Sequence, residues 1–238
     1  MTNAQYFLLR RLHSLLGVFP LGIFLFNHLL TNSTGMVSAK FFEEKVALIH
    51  MLGPVLPVVE AVMIFIPLAI HIVLGIYIAM QARYEQRGSM ASYPRNWMYN
   101  FQRWTGWIAL IFIVYHVIHL RFLHAPIDVK PFSVTLAEMF YNTPLAFIAV
   151  PAYIVGGLAV VFHFANGLCT FCMTWGITSS EKSQRAVAGG AWSLGALLTL
   201  MLLASVFAFN REGAKMAGMD DAARDAYVAE LAAVHAKN

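Results

Sequence analysis

Charge is scarce in this chain. Of its 238 residues only 12% are Asp, Glu, Lys or Arg, about half the share of an ordinary soluble domain. Cysteine is scarcer still. The two present, Cys169 and Cys172, form a C-x-x-C, but Met173 follows where covalent attachment of a c-type haem needs His. That attachment is excluded, and the pair reads as two small buried hydrophobes. No G-x-G-x-x-G fingerprint marks a dinucleotide site, and no cysteine cluster could hold an iron–sulfur centre. Alternating strand-length segments are also missing, which argues against a β-barrel.

What the chain has in quantity is hydrocarbon. Hydrophobic residues make up 59% of it and the mean hydropathy is +0.65. They are gathered into five runs, near residues 12–30, 55–80, 104–123, 145–173 and 186–209, each long enough to cross a core of about 30 Å as a helix. The predicted fold is therefore all-α, an integral membrane bundle of five helices over residues 1–209 with a tail at 210–238. The first run is kept as helix I, since it is too long for a signal core and no small-residue cleavage site follows "NHLLTNSTG".

Basic residues outside the runs give an orientation, because cytoplasmic loops carry the excess of Lys and Arg. Arg10, Arg11, Arg83, Arg87, Arg95, Arg103, Lys182 and Arg185 fall on one side, against Glu85 and Glu181. On the other side Lys40, Lys45, Arg121 and Lys130 are balanced by Glu43, Glu44, Asp128 and Glu138. The N-terminus is predicted to be cytoplasmic and the C-terminus external, and the last half of the tail to form a short amphipathic helix. The net charge of +4 thus reports topology, not a nucleic-acid partner.

Chemistry must come from what is polar inside the runs. His28 lies in helix I, His71 in helix II, His116 and His119 in helix III and His163 in helix IV; helix V has none. Intramembrane imidazoles are costly and mark function when several helices carry them. Depth groups them. His28 is four residues before Asn32 and His116 five before Arg121, about 6 to 8 Å inside the outer boundary. His71 and His163 lie more than about 16 Å from the outer end. Two layers of paired histidines suit two cofactors stacked along the membrane normal. Zinc would want further ligands, and no Cys, Asp or Glu lies at either layer. Haem iron needs only two axial nitrogens, and two imidazoles leave oxygen no open position, which favours electron transfer. Gly17, Gly22, Gly75, Gly106, Gly156 and Gly157 could give a porphyrin room, although glycine is common in membrane helices anyway and these count for little. Spacing leaves His116 and His119 as alternatives on helix III.

Four blocks carry a resemblance. "FLLRRLHSLLGVFPLGIFLFNHL", "IPLAIHIVLGIYIA", "YPRNWMYNFQRWTGWIALIFIVYHV" and "VFHFANGLCTFCMTWGITSSEKSQR" resemble, in order, the single-chain di-haem cytochrome b anchors of bacterial succinate dehydrogenase, over about residues 6–207. The resemblance implies a multi-pass subunit of the bacterial cytoplasmic (inner) membrane. It implies two haem b groups, the outer on His28 and His116, the inner on His71 and His163, and so favours His116 over His119. It implies flavoprotein and iron–sulfur partner subunits on the cytoplasmic face, and electrons passed through the haems to a membrane quinone, more in keeping with menaquinone than ubiquinone. The alternatives are a fumarate reductase anchor running from quinol to fumarate and a stand-alone di-haem electron-transfer cytochrome. A transporter is disfavoured by the odd helix count and the absence of an evident internal repeat.

Supporting residues follow from position. His13 and Ser14 lie roughly 20 Å below His28 by helical rise, where haem propionates could accept their hydrogen bonds; polar residues facing interfacial water are the alternative. Arg11, Arg95 and Arg103 could meet propionates or an acidic partner, though topology alone accounts for them. Glu60, at the mouth of helix II, could relay protons to a quinone or be a solvated interfacial acid. His50 and His235, outside the runs, read as surface residues.

Overall fold

The computed structural model describes residues 2–81, 94–142, 144 and 146–236. Arg83, Glu85 and Arg87, which enter the charge count of the second loop, lie outside the described residues. So do Leu145 and the side chain of Arg95.

Among the described residues all regular structure is helical, and five spans are long and apolar enough to cross a membrane: Asn3–Met36, Gly53–Gln81, Trp97–Phe122, Ala146–Thr174 and Glu181–Ala217. Their apolar side chains point outward as well as inward. Val73 is 64% exposed, Ile111 72% and Phe147 74%. Such a surface is stable only where the solvent is itself hydrocarbon, and helices meet the further demand that every backbone polar group be satisfied within its own segment.

The first span begins with a capping box, in which the Thr2 hydroxyl accepts from the Gln5 amide and the Gln5 side chain accepts from the Thr2 amide. It is two helices, α1 (Asn3–Val18) and α2 (Pro20–Ser33), because Pro20 has no N–H to continue the ladder. The second span runs from α4 (Leu56–Glu60) through a π-helical turn at Ala61–Phe65 into α5 (Ile66–Gln81). The third is α6 (Pro94–Val117) and a π-helical turn at Ile118–Phe122, and the fourth is α8 (Ala146–Thr174). The fifth, α9 (Glu181–Ala217), has 37 residues, about 56 Å of helix, and runs eight residues past the end expected at Phe209. Shorter helices join these: α3 (Ala39–His50), α7 (Phe132–Ala137) and α10 (Asp221–Ala232).

The chain divides into two compact units, and every span contributes to both. The first takes Met1–Leu25, Val59–Ile111 and Leu158–Leu198; the second takes Phe26–Val58, Phe112–Gly157 and Thr199–Asn238. In the first, α1 packs along α5, and the Phe164 ring fills the place of a side chain at Gly22.

In the second, α3, α7 and α10 meet around Ala39, Val134, Ala137, Met216 and Leu231, with Tyr227 and Val228 against them. Here the tail corrects the sequence reading of His235. Its side chain is buried, with Nε2 2.8 Å from the Glu43 carboxylate, and Glu43, fully buried too, accepts the Ser133 amide at 2.6 Å. His50 is half-buried, its Nδ1 on the Val46 carbonyl and its ring edge toward His235. Neither is a free surface residue, because the chain folds back after α9 and lays α10 against α3. Glu138 binds Lys130 and Arg224. Tyr227 donates to Glu212, and burial beside that carboxylate pushes its phenol up.

Candidate haem sites

Three imidazoles meet in the first unit: His13 from α1, His71 from α5 and His163 from α8. The His71 and His163 rings stand 6.2 Å apart at 84°, and His13 stacks on His71 at 3.8 Å. One ligand atom from each lies within 4.8 Å of the others. The expected inner pair is therefore a trio.

Each ring is held by the helix it faces. His13 Nδ1 lies 3.0 Å from the His71 carbonyl and His71 Nδ1 lies 2.9 Å from the His13 carbonyl. His163 Nδ1 lies 3.0 Å from the Gln102 carbonyl, while Gln102 Nε2 donates to the His163 carbonyl at 3.0 Å and Asn166 donates to Gln102 Oε1. A carbonyl oxygen can only accept, so each Nδ1 carries the proton and each Nε2 keeps its lone pair. Such tethers hold a ring in one tautomer and orientation for a metal.

Glycines make this approach possible. A Cβ at Gly17 would stand 2.7 Å from His71 Cε1, one at Gly75 3.0 Å from His13 Cε1, and one at Gly106 3.1 Å from His163 Cε1. These three glycines seat imidazoles.

The second unit brings His28 from α2 together with His116 from α6, rings 5.7 Å apart at 86°. His116 Nδ1 lies 3.4 Å from the hydroxyl of Tyr153, which is buried. Phe112 packs on both, itself pressed onto Gly156, where a Cβ would come within 2.3 Å of its ring. His119, in the π-helical turn, lies parallel to the Tyr115 ring.

A pair of imidazoles from two helices is a donor set that would hold a haem iron at either place, His71 with His163 and His28 with His116. The other residues singled out are less committed. Ser14 donates to the Arg11 carbonyl and accepts from Trp175 Nε1, and the single N–H of neutral His13 is spent on His71, so neither has a hydrogen free for a propionate in this arrangement. Arg11 lies over the Trp175 ring and Arg103 over Tyr99. Glu60 ends α4 just before a π-helical turn, half-buried, and belongs to the first unit, whereas His28 and His116 belong to the second. Cys172 is buried and Cys169 half-buried, both as free thiols.

Sequence reasoning did not place His13 among the ligand candidates, although a signal was there. "HSLLG" at 13–17 and "HIVLG" at 71–75 share the pattern H-x-x-x-G, and each glycine seats the other segment's histidine.

No family model matches the chain. It is 38% identical to the succinate dehydrogenase cytochrome b558 subunit of Bacillus subtilis (strain 168) over 213 residues, which cover 88% of this chain and all of that protein. With its five apolar spans, the chain is a multi-pass protein of a bacterial inner membrane. Likeness of this degree across the relative's whole length, with the histidines set on facing helices, places the chain in the succinate dehydrogenase cytochrome b subunit family.

Proposed function

We propose that this chain anchors a succinate:quinone oxidoreductase and carries electrons from its iron–sulfur subunit through two b haems to a membrane quinone. The observation that carries the reading is the two imidazole pairs, His71 with His163 and His28 with His116, each drawn from different helices. A haem held by these histidines would supply one-electron transfer. The chain's own work is to keep Nδ1 protonated on each tethered ligand, so that Nε2 faces the metal, and to exclude water from it.

The flavin, the clusters and the succinate site belong to partner subunits on the cytoplasmic face, where the N-terminus and the basic second loop lie. The quinone, menaquinone before ubiquinone, meets the chain near the His28–His116 set. Electrons then travel from the cytoplasmic to the external side, a path on which each charge crossing the whole membrane gains about 2.3 kcal/mol per 100 mV. Collapsing the membrane potential in intact cells should slow succinate-driven quinone reduction. Equal rates with and without it would place the quinone on the cytoplasmic side.

A reduced-minus-oxidised visible spectrum of the purified chain, with metal analysis, tests the core of the reading. Two b haems per chain are expected. Stoichiometric zinc without b-type bands would mean that the His13, His71 and His163 trio holds a different metal.

A further inference from the structure

The first unit contains one structural device twice. At the crossing of α1 and α5, His13 and Gly17 face His71 and Gly75; at the crossing of α6 and α8, Gln102 and Gly106 face His163 and Gly167. In both crossings the glycine follows four residues after the polar residue: "HSLLG", "HIVLG", "QRWTG" and "HFANG". In both, the ligand histidine's Nδ1–H goes to the main-chain carbonyl of the facing polar residue, and that residue's side-chain N–H returns to the main-chain carbonyl of the histidine. In both, each polar side chain lies over the glycine of the other segment: His71 over Gly17, His13 over Gly75, His163 over Gly106 and Gln102 over Gly167 at 3.5 Å.

His13 therefore occupies the place in its crossing that Gln102 occupies in the other. A glutamine amide and an Nδ1-protonated imidazole can each give one N–H to a carbonyl. Glutamine is not a haem ligand, and the crossing at His163 is complete without a second imidazole. We propose that His13 and Gln102 are equivalent positioning residues, each bracketing one haem-ligating histidine, and that His13 is not a third metal ligand. This rests on the reading of His71 and His163 as the ligands.

The equivalence predicts which exchanges are allowed. His13→Gln makes the first crossing chemically identical to the second, and Gln102→His does the reverse. Both variants should keep two haems per chain, with haem potentials and low-spin spectra close to those of the wild type. His13→Leu keeps the volume and loses the N–H. It should weaken retention of one haem on the order of tenfold, at the low end of the effect of removing a ligand's supporting partner, and His13→Gln should restore it.

Complexes purified from membranes would be assayed for haem content during dilution and for the midpoint potential of each haem. Loss of one haem from His13→Gln, as from His71→Ala, would make His13 a ligand and overturn the proposal. Wild-type retention and potentials in His13→Leu would overturn it too, since the bracket would then do nothing. Failure of the ligand reading has its own signature, in which His71→Ala keeps both haems whatever happens at position 13.

Discussion

The two imidazole sets solve one problem with different materials. In the first unit the N–H groups of His71 and His163 end on main-chain carbonyls, and glycines bring the facing helices close enough for them to do so. In the second, His116 Nδ1 faces the hydroxyl of a tyrosine set among aromatic rings. A main-chain acceptor cannot be substituted away. A phenol can. The first set is thus fixed by the backbone, whereas the second is open to adjustment through one side-chain atom.

The comparison breaks most severely at the ligands. His71→Ala or His163→Ala should remove one haem and leave the other, and His28→Ala or His116→Ala should remove the complementary one; haem per chain with difference spectra reads this out. His119→Ala should keep both, because its ring lies parallel to Tyr115 while His28 and His116 face each other. A chain that loses a haem with His119→Ala and keeps two with His116→Ala would reverse the assignment on α6.

The next largest effect tests the glycine seats. Gly17→Val adds a branched side chain where even Cβ would stand 2.7 Å from His71 Cε1. Either the ring or the helix must move, and in a packed interior both are costly. Haem on the His71–His163 set should fall by on the order of tenfold or more in retention, as for other losses of ligand support, while the His28–His116 set keeps its haem. Loss of both together would show that the two units are not separable in haem binding.

Away from the haems, the tail offers a test of the second unit alone. Glu43 and His235 are hydrogen-bonded to each other with both side chains buried, and leaving one partner of a buried hydrogen bond unsatisfied costs about 1–3 kcal/mol. Glu43→Ala or His235→Ala should therefore free α10 to protease while the visible spectrum stays unchanged. A tail as resistant as the wild type's would mean that the contacts around Leu231 hold it without the pair.

Legibility in the sequence followed the physics of each feature. The five spans were readable because hydropathy reports the solvent a segment faces. The same index misplaced the end of the fifth, where Arg211, Glu212 and Lys215 mark a return to polar surroundings while the helix continues to Ala217. His28, His71, His116 and His163 stood out because an imidazole in hydrocarbon needs a reason. His13 did not, since its position near a boundary allowed an ordinary aqueous role, and only the crossing with α5 shows what it touches. The burial of His235 depends on Glu43, 192 residues away, and nothing local announces it. Pro20 was in plain view inside the first run, where a proline interrupts the ladder.

The Tyr153 phenol gives a smaller effect. Haem ligation through Nε2 requires Nδ1–H on His116, so the Tyr153 oxygen accepts, and the shared proton makes the ring a more basic ligand that favours ferric iron. Tyr153→Phe removes only that oxygen. One haem should become easier to reduce, with a ferrous-to-ferric ratio raised several-fold at fixed potential, where tenfold corresponds to about 59 mV for one electron. An unchanged pair of potentials would leave the 3.4 Å contact without consequence.

The smallest effect on haem potential belongs to Gln102→Leu, and its smallness is what the comparison demands. That substitution deletes the side chain nearest to the His163 tether, yet the atom that accepts the His163 N–H is the main-chain oxygen of residue 102, which leucine keeps. The variant does lose the amide that bonds the His163 carbonyl and the oxygen that receives Asn166. Stranding such buried groups costs about 1–3 kcal/mol, and the loss should appear in thermal unfolding and in haem retention. The potential of the haem on His71 and His163 should stay closer to wild type than that of the other haem does in Tyr153→Phe. Potentiometric titration of the two variants side by side decides the matter. A larger shift from Gln102→Leu than from Tyr153→Phe would mean that the side chain, and not the backbone, sets the electronic character of His163, and the distinction between the two sets would fall.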